Sequence, residues 1–145
     1  MSKEIQKVVA YITNGRRQLV FKHTELHEAG IQVPAGTVDP GEDPQTAVLR
    51  EAFEETGLFD LELVRGLGKR TSERDGSNYI RHFFHLHCPG QPPERWCHME
   101  ENPSGGSAEP IEFELYWAGW PEDIPTIAAE MDARLAAVDW DSLPG

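Results

Sequence analysis

The chain has 145 residues, 39% of them hydrophobic, which is the size of one domain with one buried core. No window approaches 18 uncharged apolar residues, and the start Met1-Ser2-Lys3-Glu4-Ile5 lacks an apolar leader core, so a membrane span and a secretory signal are not expected and the protein reads as cytoplasmic. The formal net charge of −12, from 25 acidic and 13 basic residues, repels a phosphate backbone and makes nucleic acid an unfavourable partner.

Residues 4–13 are rich in β-branched and aromatic side chains and predict a strand. Asn14-Gly15 is a hairpin turn signal, and Gln18 to Lys22 reads as the return strand. A polar loop follows from His23 to Gly30, then short extended pieces at 31–33 and 36–38 around Pro34-Ala35, then the turn Asp39-Pro40-Gly41. The first helix is predicted over 44–56, with Asp43 as N-cap, Pro44 at the first helical position and Gly57 at the left-handed end. Strand-like runs cover 58–69 and 79–87, with a polar loop between them at 71–78, and a shorter run covers 96–99. The acidic stretch from Glu100 to Pro110 reads as a loop, and Ile111 to Trp117 as an alternating strand. A second helix is predicted over 125–138, where Ile127, Met131, Leu135 and Val138 recur at helical spacing. The expected architecture is a single α+β domain over residues 1–145.

On the first helix, positions three and four apart share a face, so Glu51, Glu54 and Glu55 converge on one patch. Leu49, Ala52, Phe53 and Thr56 lie roughly opposite and can pack on a sheet. Three carboxylates on one patch repel, and Arg50, four residues before Glu54, cannot neutralise all of them. A hard divalent cation with oxygen ligands can, and Mg²⁺ commonly binds through one or two carboxylates plus substrate phosphates.

Residues 36–58, GTVDPGEDPQTAVLREAFEETGL, match the pattern G-x5-E-x7-R-E-U-x-E-E-x-G-U, with U apolar, through Gly36, Glu42, Arg50, Glu51, Ala52, Glu54, Glu55, Gly57 and Leu58. In this segment the chain resembles the Nudix hydrolases. The resemblance implies an α/β/α sandwich around a mixed sheet, with this helix on one side and the C-terminal helix on the other. It implies Mg²⁺-dependent attack of water on the pyrophosphate of a nucleoside diphosphate linked to another moiety, with Mn²⁺ as an alternative cation. It further implies Glu51, Glu54 and Glu55 as metal ligands, Gly36 contributing its carbonyl, and Glu51, Glu54 and Arg50 as catalytic residues. Glu42 and Gly57 hold the segment's shape, Glu42 by tying the loop to Arg50. The alternative reading is a Nudix-fold sensor or interaction domain that binds a nucleotide without turnover, although no glutamate of the motif is lost. A homodimer is compatible with the family.

A base outside the motif could be Glu100, Glu101, Glu109, Glu112 or Glu114. The loop glutamates Glu100, Glu101 and Glu109 are favoured, since a loop can close over the substrate, whereas Glu112 and Glu114 suit the solvent face of a strand. His82, His85 and His87 read mainly as strand histidines. Cys88 and Cys97 read as free thiols, because His87-Cys88 and Cys97-His98 lack the spacing of a zinc site. Trp96, Trp117, Trp120, Tyr79 and Phe83 could stack on a base but more commonly pack in a core, and the motifs leave the substrate open.

Overall fold

The computed structural model describes residues 3–25, 30–100, 110–127, 131 and 133–138. Strand β1 (Lys3–Asn14) is apolar at every position from Val8 to Ile12, the signature of a strand covered on both faces. Val8, Ala10 and Ile12 belong to one core cluster, Val9 and Tyr11 to the other. Around β1 run β2 (Arg17–His23), β3 (Ala35–Thr37), β4 (Glu62–Arg74), β5 (Ser77–His87), β6 (Arg95–Glu100) and β7 (Ile111–Gly119). The mixed sheet has the order β4-β5-β1-β2-β7-β6, with β3 added on β1, and the one α-helix among the described residues, α1 (Pro44–Thr56), packs on the Val8 face.

The sheet forks beside β1. Strand β1 pairs with β2 only at Thr13↔Gln18 and Asn14↔Arg17, while it pairs in parallel with β5 from Lys3↔Ser77 to Thr13↔His87. Residues 31–37 enter the opening between β1 and β2. Gln32 bridges to Phe21, the Pro34 carbonyl accepts from Ala10 N at 2.8 Å, and Gly36 registers with Val8. This wedge places β3 under α1.

Three expectations change. The predicted loop 71–78 is a hairpin, with β4 running to Arg74 and β5 starting at Ser77. Asp75 and Gly76 turn it alone, at φ 53° and 77°, as a two-residue turn with both centres left-handed requires. On α1, Phe53 is 47% exposed, and Ala47 and Val48 join Ala52 and Thr56 on the packed face with Leu49 at its margin. Glu51 and Glu55 are buried too, so the acidic and apolar stripes overlap rather than oppose. The helix predicted over 125–138 gives way, among the described residues, to a 3-10 turn at Leu135–Ala137, with Ile127 bridging to Ile31. Ile127, Leu135 and Val138 are nevertheless buried, and Met131 packs beside them. Side chains from the sheet take up the backbone groups that a helix would have paired. Tyr11 Oη donates to the Met131 carbonyl and accepts from Arg134 N, and Arg65 donates to the Ala137 carbonyl at 2.7 Å.

Candidate active site

Helix α1 is fixed at both ends by its own sequence. The Asp43 carboxylate accepts from Thr46 N at 2.8 Å, and Gly57, at φ 79°, donates its N–H to the Phe53 carbonyl. The chain around it is held by Arg50, which donates to both Glu42 oxygens at 2.8 and 2.9 Å and to the Thr37 carbonyl at 3.0 Å. Glu42 also accepts from Asp39 N. Its hydrogen bonds to Arg50 hold the Glu42 carboxyl at a pKa of about 2.

Glu51 is buried and lies against β3 at Gly36. A Cβ on Gly36 would sit 2.0 Å from Glu51 Cδ, so the carboxylate occupies the space a side chain would take. Glu51 Oε1 accepts from Arg50 at 3.0 Å, whereas Oε2 is buried without any hydrogen-bond partner. Glu55 is also buried and accepts from Ala35 N at 2.7 Å. Glu54 is half-exposed and takes a longer bond of 3.3 Å from Arg50. Glu100, 3% exposed, completes the group, and oxygens of Glu51, Glu54 and Glu100 all lie within 4.8 Å of one another. Burial, then the charges of Glu51 and Glu54, push the Glu100 carboxyl up to about 7. Burial, then Glu100, lifts Glu55 well above the usual carboxylate range. Burial likewise raises Glu51, against the pull of Arg50.

These residues fit a hard divalent cation. The donors are all carboxylate oxygens, one of them is buried and unpartnered, and their mutual repulsion is the kind that a cation relieves. Cysteine and histidine do not form such a group among the described residues: Cys88 is buried, Cys97 is exposed, and both are free.

Glu100 was expected in a loop and instead ends β6, whereas Glu101 and Glu109 lie outside the described residues. Glu112 and Glu114 register with Met99 and Cys97, on the sheet face away from Glu100. There Glu112 accepts from Thr24 at 2.8 Å and Glu114 pairs with Lys22 and Arg95. The signal that would have found Glu100 is alternation: Trp96, His98 and Glu100 share one face of β6. All three reach α1 or its cluster. Trp96 donates to the Thr56 carbonyl at 2.9 Å and His98 to the Glu54 carbonyl at 3.0 Å, satisfying helix-end acceptors. Of the other histidines, His85 bonds Thr13 in the core and His82 bonds Gln6. Phe83 is core, Trp96 and Trp117 pack on the helix side of it, and Trp120 packs on the other side.

Beside the carboxylates, a cleft of about 300 Å³ opens at the fork. Its lining includes Glu55, Glu100 and Gly36 of the carboxylate site together with Lys7, Arg81, His23 and Phe113. Its walls include Val8 and Phe113 of one core cluster and Val9 and Val33 of the other, so both sheet faces meet there.

The sequence matches the family model of the NUDIX domain over residues 4–128. It is similar to an RNA pyrophosphohydrolase of Psychrobacter sp. (strain PRwf-1), 32% identical over 87 residues, covering 59% of this chain and 49% of the relative. It is also similar to Nudix hydrolase 25 of Arabidopsis thaliana, 45% identical over 47 residues, covering 32% of this chain and 27% of the relative. The match thus spans half or less of these relatives' length. Among solved structures, a MutT NUDIX hydrolase from Burkholderia pseudomallei superposes with a TM-score of 0.65 at 24% identity, covering 94% of this chain and 99% of that one. A UDP-X diphosphatase gives a TM-score of 0.65 at 13% identity, covering 94% and 61%. At these identities the structural likeness speaks for the fold.

Proposed function

The chain belongs to the NUDIX family, and from that premise we propose that it is a Mg²⁺-dependent pyrophosphohydrolase of nucleoside diphosphate derivatives, acting in the cytoplasm. The observation that carries this reading is the carboxylate group of Glu51, Glu54 and Glu100, with its unpartnered Glu51 oxygen seated over Gly36. Glu51, Glu54 and Glu100 would hold the cation, with Glu55 beside them anchored by Ala35 N–H. Mn²⁺, equally content with oxygen donors, serves as a substitute. When bound, the cation supplies charge neutralisation at the pyrophosphate and a lower pKa for water.

The protein's own groups do the rest. Arg50 fixes the loop on the helix through Glu42 and Thr37, so the ligand side chains are held before substrate arrives. Water oxygen bonds to phosphorus, the bridging P–O bond breaks, and its electron pair leaves with the departing phosphate. Of the glutamates considered outside the motif, Glu100, Glu112 and Glu114 lie among the described residues. Glu100 is the one of these whose carboxylate faces the cluster, and the oxygen it does not give to the cation would take the proton from the water. The products are a nucleoside monophosphate and a phosphorylated moiety. Among the described residues no helix is long and apolar enough to cross a membrane.

The test is a Mg²⁺-supplemented panel of ADP-ribose, nucleotide sugars, dinucleoside polyphosphates, coenzyme A, nucleoside triphosphates and a 5′-triphosphorylated RNA oligonucleotide. Turnover of at least one free nucleotide is expected. The RNA should react more slowly, because a net charge of −12 opposes a polyanion. Glu54→Gln and Glu100→Gln should each lower the rate by at least about 10²-fold, the scale of losing an acid–base or ligand group. Tight binding of one compound without turnover of any would show a nucleotide sensor instead.

A further inference from the structure

Away from the carboxylates, the junction that closes the fork carries a reactive sequence. The chain has one Asn-Gly pair, Asn14-Gly15, and it stands at the end of β1. Gly15 and Arg16 make the two-residue loop of the β1–β2 hairpin. Gly15 sits at φ 63° while Arg16 is not left-handed, the pattern of a loop that needs glycine first. Asn14 faces Arg17 across that loop, and this pair with Thr13↔Gln18 makes the two rungs that join β1 to β2. Beyond them the strands part around the wedge of residues 31–37.

The Asn14 amide clamps this junction. Its Nδ2 donates to the Cys88 carbonyl at 2.9 Å and to the Gly90 carbonyl at 3.1 Å, just past the end of β5, while its Oδ1 accepts from Arg17 at 3.1 Å. Cys88 N in turn donates to the Thr13 carbonyl at 2.8 Å, so β5, β1 and β2 are tied at one point. An ionised carboxylate here has no hydrogen to offer and turns negative oxygens toward two carbonyls. It gains a charge pair with Arg17, but Glu94 already engages that guanidinium, and exposed pairs of this kind contribute little.

An asparagine followed by glycine loses its amide readily, because glycine puts no side chain in the way of the attacking backbone nitrogen. That nitrogen gives its proton to hydroxide and bonds to Cγ of Asn14. The bond from Cγ to the side-chain nitrogen breaks, and ammonia leaves. Water then opens the cyclic imide to aspartate or isoaspartate. The attack requires the Asn14 side chain to fold back on its own main chain, and its three hydrogen bonds oppose that while the junction is closed.

We propose that Asn14 is a modification site at the hinge of the fork: local opening of the two rungs frees its amide for deamidation, and the acid formed keeps the junction from closing again. The isoaspartate product also lengthens the backbone of a hairpin whose register the loop sets, so both rungs fall out of step. The change is one-way, and it loosens the sheet beside the cleft whatever the cleft binds.

The experiment ages the purified protein in mildly alkaline buffer below its melting temperature, beside a sample in urea, and reads Asn14 by peptide mapping with mass spectrometry. Asn14 in the folded protein should convert to both acids, more slowly than in urea. Arg17→Met, which removes the donor to Oδ1, should raise the folded-state rate by about fivefold or more, the scale of one hydrogen bond. The aged fraction, separated by anion exchange, and Asn14→Asp should share one signature: faster amide hydrogen exchange over residues 13–18 and at Cys88, with the β2–β7 ladder from Leu19 onward unchanged. The aged fraction supplies that reading even if the variant fails to fold. An amide that survives until the whole protein unfolds, an Arg17→Met rate equal to the wild type, or an acid form that exchanges like the wild type would each overturn the proposal.

Discussion

At the scale of single residues, the closest fit in the site is Glu51 against Gly36. The glycine was legible in the sequence as a member of the motif, and the family resemblance implied a role for its carbonyl. The fold adds a different reason for it: any Cβ there would overlap the Glu51 carboxylate, 2.0 Å from Cδ. Gly36→Ala should therefore displace Glu51, lowering turnover by at least about 10²-fold and costing about 1–3 kcal/mol as an overpacked site. Steady-state kinetics and urea unfolding of the variant measure both, and near-normal turnover would refute the cradle. Glu100 was legible only as one of five glutamates. Acidic loop composition concealed it, because the residue that closes the cluster sits at the boundary between a strand and the segment that follows.

Among the elements, α1 could be read almost to the residue, because Asp43, Pro44 and Gly57 encode its ends locally. The second helix predicted over 125–138, of which 128–130 and 132 lie outside the described residues, is not formed in the others for the opposite reason. Its apolar spacing correctly named Ile127, Leu135 and Val138 as buried, but burial does not dictate how the backbone pairs, and Tyr11 and Arg65 supply the partners from far along the chain. The same non-locality hides the part played by β6, whose Trp96 and His98 grip the end of α1 while Glu100 faces its carboxylates. Trp96→Phe keeps the ring and loses the indole N–H. It should cost about 1 kcal/mol of stability, the net worth of one hydrogen bond. As Glu100 drifts, it should also raise the Mg²⁺ concentration for half-maximal rate while leaving the nucleotide KM in place. A stability loss with unchanged Mg²⁺ dependence would confine Trp96 to capping the helix.

For the molecule as a whole, the carboxylates make stability depend on pH in two opposite ways. Glu100 titrates at about 7 in the folded protein against an ordinary value of 4.5, and Glu55 is shifted the same way. The folded state thus keeps protons that the unfolded chain has released. This contribution is fully present below the ordinary value and is lost as pH rises through about 7. Glu42, held at about 2 by Arg50, contributes above its ordinary value, and that contribution disappears as pH falls through about 2. The Tm of the metal-free protein should accordingly decline between about pH 5 and pH 8, with Mg²⁺ restoring it most at the upper end, where the cation replaces the missing protons. Glu100→Gln should flatten the decline. Thermal melts across that range with and without EDTA test this, and a wild-type Tm independent of pH would contradict it. The wedge at the fork and the strand order also bear on how the protein can be taken apart. Among the described residues β6 borders only β7 in the sheet, and β7 reaches β1 through β2. The motif is contiguous, whereas the site is not. Transplanting residues 36–58 onto another scaffold would carry Glu51, Glu54 and Glu55 but leave Glu100 behind with its strand. Such a chimera should bind divalent cations and turn over nothing, which a direct assay of the graft would read.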